Sequence, residues 1–293
     1  MIFDVRHKTS YSYGSPVSVA YHLLRVEPRD MPGQQRLKGE VVITPQPQRR
    51  LPDQDYFGNH TLFLTIERQH GEFVVEASSR VEVNRRPPPA AAATPSWETV
   101  LDSLEQPDRP ALLAAVEQSY PTPRTPILPE CLAYARESFT PGRPILDAAL
   151  ELNHRIFEDF RYDPGATHTH TPTAQAFAMR RGVCQDFTHV ALACFHSLGL
   201  PARYVSGYLM TRPPPGKERL VGADASHAWV SVWVGPEGWV DLDPTNDVVV
   251  GDHHVTLAYG RDYSDVAPVS GIIYGGGRHK IAVAVDVIPL NGP

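Results

Sequence analysis

Cys184, His227 and Asp243 are the residues whose types and order could carry nucleophilic chemistry in this chain. Cys184 follows Gly182-Val183 and precedes apolar residues at 187, 190, 191, 194, 195 and 198. That is the i, i+3, i+4 stripe of a helix with a buried face. Gly199 and Pro201 then stop the helix. Cys184 is thus expected in the first helical turn, at the positive end of the helix dipole, an arrangement that favours thiolate over thiol. Cys194 lies on the apolar stripe and, like Cys131, reads as a buried, inert thiol.

A thiolate of this kind needs a base. Residues 226–234 alternate, which puts His227, Trp229, Ser231 and Trp233 on one strand face and Val230, Val232 and Val234 on the other. Gly235-Pro236-Glu237-Gly238 turns the chain back through a second strand, Trp239 to Asp243. If Trp229 opposes Asp243, then His227 and Asp243 are diagonal neighbours on one face, within side-chain reach. Asp241 would oppose Ser231 and lie too far from His227. A register slipped by one residue would put the two groups on opposite faces. Pro244 ends the strand and leaves Asp243 at the end of the sheet. The expected roles are Cys184 as nucleophile, His227 as base and Asp243 as the group that orients the imidazole. Spacing alone fits equally an ordinary strand histidine and a turn-forming Asp-Pro.

Other titratable residues read differently. Thr167-His168-Thr169-His170-Thr171 and His253-His254 have neither HxxxH nor HExxH spacing and no cysteine pair beside them, so they read as polar loop residues rather than metal ligands. His189 is five residues from Cys184 on the same helix, a poorer place for a base than a facing strand, and His196 shares its face. Asp186, in the first turn, suits the helix dipole.

The elements that must position these groups divide the chain. Residues 1 to about 85 carry short β-rich runs (Glu40–Thr44, Thr61–Ile66, Phe73–Glu76, Val81–Val83) bounded by Pro, Gly and Asn, the pattern of an antiparallel sandwich. Residues 86–96 form a stiff Pro/Ala-rich linker. Helical spacing then appears at Leu112, Leu113 and Val116, and again after Pro144. Hydrophobic residues make up 42% of the 293 and charged residues 20%, which excludes wholesale disorder. The 27 basic against 33 acidic residues leave a net charge of −6, with no basic face for nucleic acid. No apolar run is long enough for a membrane span, and no apolar h-region follows the first basic residues. Three cysteines with no CxxC pair fit a reducing compartment, so a cytoplasmic protein is expected.

Four motifs in order carry a family resemblance: Gly182-Val183-Cys184-Gln185-Asp186-Phe187; the run from Gly199 through Tyr208; His227-Ala228-Trp229; and Trp239-Val240-Asp241-Leu242-Asp243-Pro244-Thr245. With Tyr11-Ser12-Tyr13, Leu24 through Arg29, Asp55-Tyr56-Phe57-Gly58-Asn59 and the tail from Asp265 to Gly271, the chain resembles the bacterial transglutaminase-like proteins over nearly its whole length. The resemblance implies an α+β fold: an N-terminal β-sandwich (1–85), the linker (86–96) and a papain-like core (97–293) in which the Cys184 helix packs on an antiparallel sheet. It implies acylation of Cys184 through a thioester. The oxyanion would be met by the Cys184 N–H and one further donor, Tyr162 or Gln175, although Tyr162 could pack in the core and Gln175 could cap a helix. Hydrolysis of peptide, isopeptide or other amide bonds in a peptide or protein substrate is the first expectation. Acyl transfer to an amine and a non-catalytic binding role are the alternatives. Trp229 and Trp233 would exclude water or simply fill the hairpin core. Animal transglutaminases use calcium, but no DxDxDG loop is present, and neither a metal nor a cofactor is expected.

Overall fold

A computed structural model describes residues 1–210 and 225–290. The chain opens with strands β1 (Ile2–Leu24), β2 (Gln34–Thr44), β3 (Arg49–Gln54), β4 (His60–Ile66) and β5 (His70–Val83). Helices α1 (Trp97–Leu104), α2 (Pro110–Glu117), α3 (Pro129–Ser138) and α4 (Ile145–Asp159) follow. Next come β6 (Arg161–Tyr162), α5 (Thr173–Met179), β7 (Arg181–Gly182) and α6 (Cys184–Ser197). The second sheet holds β8 (Ala202–Leu209), β9 (Ala225–Trp233), β10 (Trp239–Asp243), β11 (Val248–Val249) and β12 (His254–Gly260). Helix α7 (Tyr263–Val266) and strands β13 (Val269–Gly275) and β14 (His279–Pro289) complete the described residues. The fold is the expected α+β arrangement, antiparallel throughout both large sheets.

β1 organises the first sheet. Its first half pairs with β5 and β14, its second with β4 and β13. Gly14-Ser15-Pro16 interrupts the strand, and the register against β5 shifts between Ser12 and Val17, as a proline inside a strand demands. The sheet curls over a core of Val17, Leu24, Leu64, Ile66, Phe73 and Val75. At the start of β1 the charged Asp4, Arg6 and Lys8 alternate with the buried Phe3, Val5 and His7, the period-two alternation of a half-buried strand.

Two boundaries differ from the sequence expectation. Residues 269–289, assigned by sequence to the core at 97–293, return to the first sheet as β13 and β14. The C-terminal part of the 86–96 linker is docked: Ala91–Ala93 form a 3-10 turn, Thr94 is buried, and the Pro95 carbonyl accepts the Ile145 N–H. The units share an apolar seam of Phe3, Val5, Val81 and Val83 against Tyr208, Val255 and Leu257. His7 Nδ1 lies 2.8 Å from the Tyr208 hydroxyl across it.

The second sheet, ordered β11-β10-β9-β8-β12, is covered on its other face by the helices. α6 is buried on every side from Asp186 to Phe195 and on to His196. The apolar stripe is buried as expected, but so are His189 and His196. One ring nitrogen of each has a backbone partner: His196 Nε2 stands 3.1 Å from the Ala202 carbonyl, and His189 Nε2 accepts the Tyr263 N–H at 3.3 Å. No helix among the described residues is long and apolar enough to cross a membrane.

Candidate active site

Cys184 is the first residue of α6, so its N–H has no acceptor within the helix. The turn before it is built around Asp186, whose Oδ2 accepts the Val183 N–H at 2.8 Å and the Thr167 hydroxyl at 2.6 Å. Burial raises the Asp186 pKa against these hydrogen bonds. Gly182 is required at this turn: a Cβ there would lie 2.4 Å from Asp186 Oδ2. β6 pairs parallel to β7, with Tyr162 opposite Gly182, which lays Tyr162 alongside the approach to Cys184.

The hairpin register places the other two residues. Trp239 pairs with Trp233, Asp241 with Ser231 and Leu242 with Val230, a parity that puts Asp243 on the same face as Trp229 and His227. β10 ends at Asp243. His227 Nε2 donates to Asp243 Oδ2 at 2.7 Å, both residues buried. With Nε2 engaged, the imidazole has Nδ1 left for Cys184. Burial alone would lower the His227 pKa, but hydrogen bonds with Asp243 and Cys184, and the charges of both, push it up to about 10. Burial would raise the Asp243 pKa, yet its donors, His227 foremost, hold it well below the usual carboxylate range. The Asp243 carboxylate also accepts from Asn246 Nδ2 at 2.7 Å and from the Thr245 N–H at 2.9 Å.

Behind His227, Trp229 is fully buried and spans the sheet. Gly207 pairs opposite His227, and the Trp229 ring occupies the room a side chain at 207 would need, 2.3 Å from a Cβ built there. Trp229 Nε1 donates to Asp241 Oδ2 at 3.3 Å, and Arg85 Nη1 lies 3.7 Å from the same oxygen. Trp233 packs edge-on to Trp239 at 5.5 Å. Both tryptophans therefore belong to the packing of the sheet.

Three tyrosines feel the charge of Cys184. Burial raises the Tyr162, Tyr204 and Tyr263 pKa values and a negative charge on Cys184 raises all three further, with Arg124 opposing it at Tyr204 and Tyr263, so each hydroxyl stays protonated. Tyr162 is 53% exposed rather than core-packed, whereas Tyr204 is buried. Gln175 is exposed on α5 and caps no helix end. Tyr204 and Tyr263 were not singled out by sequence: each joins the site through strand pairing or a short helix distant in the chain. The aromatic residue of the Arg203-Tyr204-Val205 strand was the available signal for Tyr204.

Residues 3–82 match the family described as the bacterial transglutaminase-like N-terminal region, and residues 133–244 match the transglutaminase-like superfamily core. An uncharacterized protein of Mycobacterium tuberculosis is 36% identical over 301 residues, an alignment covering 99% of this chain and 93% of that protein. The chain belongs to the bacterial transglutaminase-like proteins. A protein-glutamine gamma-glutamyltransferase of Pseudomonas aeruginosa is 29% identical over 147 residues, 48% of this chain and 22% of that enzyme. A solved structure from Cytophaga hutchinsonii, described as a candidate cysteine protease, shares the fold with a TM-score of 0.77 at 20% identity, covering 100% of this chain and 92% of that one.

Within this family fold the remaining histidines separate clearly. His168 and His170 are exposed loop residues, as expected. His189 is held neutral by burial, its pKa lowered to about 3, which leaves it unfit as a base. His254, read from sequence as a polar loop residue, is instead buried at the start of β12 with Nε2 3.2 Å from Asp243 Oδ2. His227, Asp243 and His254 thus present three metal-capable atoms within 4.8 Å of one another. The 2.7 and 3.2 Å separations are those of hydrogen bonds, while ligand atoms about 2.1 Å from a tetrahedral zinc stand roughly 3.4 Å apart. The Pro213–Glu218 segment between β8 and β9 lies outside the described residues.

Proposed function

We propose that this protein is a thiol-dependent amide hydrolase that acts on peptide or protein substrates through an acyl-enzyme at Cys184. The observation that carries the reading is the double engagement of His227, by Asp243 at 2.7 Å on one side and by Cys184 on the other. A thiolate paired with a buried imidazolium, itself held by a carboxylate, is a nucleophile with its proton already removed. The thiolate attacks the amide carbon, forming the S–C bond and moving the carbonyl electron pair to oxygen. Collapse breaks the C–N bond as His227 gives its proton to the departing amine, leaving a thioester. Neutral His227 then takes a proton from water as its oxygen attacks the thioester; the acid leaves and the thiolate–imidazolium pair is restored.

The oxyanion is met by the Cys184 N–H at the start of α6 and by the Tyr162 hydroxyl, which stays protonated next to the thiol. Gln175, exposed on α5, is the less favoured donor. The three free cysteines suit a reducing, cytoplasmic setting. A peptide carrying an acyl-trapping electrophile tests the reading: wild-type protein gains its mass on Cys184, and Cys184→Ala gains none. Labelling spread over Cys131 and Cys194, or absent, contradicts it.

Transfer to an amine is the second reading, favoured by the similarity to the Pseudomonas aeruginosa gamma-glutamyltransferase. It predicts that a glutamine peptide supplied with a primary amine yields the secondary amide. Accumulation of the glutamate product alone selects hydrolysis.

A further inference from the structure

We propose that His254 is a positioning residue for the Cys184 site: by donating from Nε2 it holds the Asp243 carboxylate in the orientation that faces His227. This rests on the thiol chemistry proposed above and adds a residue to it. The terminal torsion of an aspartate is broad, so hydrogen bonds decide which way the carboxylate plane lies. Here both oxygens are claimed. Oδ1 accepts the Thr245 N–H at 2.9 Å, while Oδ2 accepts from His227 at 2.7 Å, Asn246 at 2.7 Å and His254 at 3.2 Å. Thr245 and Asn246 belong to the same turn as Asp243 and move with it. His254 comes from β12, outside the β9–β10 hairpin that carries both His227 and Asp243, and is the donor that ties the carboxylate to the rest of the sheet.

His254 is itself held in place. Its ring meets the Trp229 indole edge-on at 5.3 Å, and its N–H donates to the Gly251 carbonyl at 3.1 Å. Nδ1 is buried with no partner among the described residues, so a proton there would be stranded; on Nε2 it finds the carboxylate. The ionisable groups facing the ring are Asp243 from β10 and His227 from β9, with ring centres 6.2 Å apart for the two histidines. Asp241 and Arg85 stand behind Trp229. Among the described residues the His254 ring hydrogen-bonds Asp243 and not Cys184, so its influence passes through Asp243.

Two amide replacements separate the hydrogen bond from packing. Glutamine places its NH2 near the imidazole Nε2 position, whereas asparagine reaches only as far as Nδ1. The measurements are the iodoacetamide alkylation rate of Cys184 at neutral pH, mapped by mass spectrometry, and the far-downfield proton resonance of the His227–Asp243 hydrogen bond. His254→Asn is expected to slow alkylation about tenfold and to shift or broaden that resonance, with His254→Gln within about threefold of wild type. If both variants match wild type, or both lose the same rate, the assignment of His254 is overturned. Wild-type Cys184 reacting no faster than in His227→Ala would instead remove the thiol chemistry itself, and the role of His254 with it.

Discussion

Asp243 is wholly buried and has donors on both carboxylate oxygens, and its pairing with His227 makes folding depend on pH. Its pKa is depressed on folding, so its contribution is present above the unfolded value near 3.9 and is lost as pH falls below that. His227 is raised to about 10, so its contribution is complete below its unfolded value near 6.5 and disappears as pH climbs towards 10. The pair therefore stabilises most between about pH 4 and 6.5. Asp243→Asn should cost about 3 kcal/mol in urea unfolding within that window, and the gap to wild type should narrow steadily towards pH 10. A gap independent of pH would show that the charge of Asp243 is immaterial. Turnover by Asp243→Asn should fall roughly 10³-fold or more, because the neutral amide no longer selects the imidazole tautomer. At this scale the sequence was informative where parity operates: residues 227 and 243 sit on two strands joined by the five residues 234–238, so alternation alone predicts their shared face. His254 escaped because its partner is on a strand that is not its neighbour in the sheet, and a two-histidine run looks polar when its surroundings are unknown.

α6 delivers Cys184, and the tight turn before it depends on the missing side chain of Gly182. Gly182→Ala would drive a methyl into the Asp186 carboxylate, displacing the acceptor of the Val183 N–H. We expect a loss of about 1–2 kcal/mol, typical of a lost helix cap, with slower alkylation of Cys184. Unchanged thermal unfolding and unchanged thiol reactivity would contradict this account of the turn. Gly142, also a turn glycine, has open space where its Cβ would stand and serves as a comparison only for steric room, since its φ is positive. The helix itself was legible from its apolar stripe, start and stop. Its second buried face was not, because Thr188, His189 and His196 are polar residues whose partners come from the chain's own turns and from residues 202 and 263.

The whole molecule is knitted by its ends. β13 and β14 flank β1, so the sheet begun by the first residues is completed by the last described ones. Arg85 adds a polar tie, with its N–H on Asp252, Nη2 on Thr256 and Nη1 near Asp241. We expect urea to unfold the chain in one transition, seen alike by near-ultraviolet circular dichroism and by tryptophan fluorescence. A fragment of residues 1–85 should fail to form a stable sheet without β13 and β14. Two separated transitions would mean that the seam between the sheets is weak. The composition break near residue 86 correctly marked where strands give way to helices. It carried no sign that residues 269–289 return, since pairing between distant strands leaves no local trace and the alternation of β14 suits either sheet.

The central claim is that His227 is a proton carrier held between a carboxylate and a thiol. Nuclear magnetic resonance titration of the His227 ring, in wild type and in Cys184→Ala, tests it most directly. The account predicts an imidazole that stays protonated well past neutrality in wild type, titrating near 10, and loses its proton at lower pH once the sulfur is removed. An imidazole that titrates near 6.5 in both proteins would contradict it.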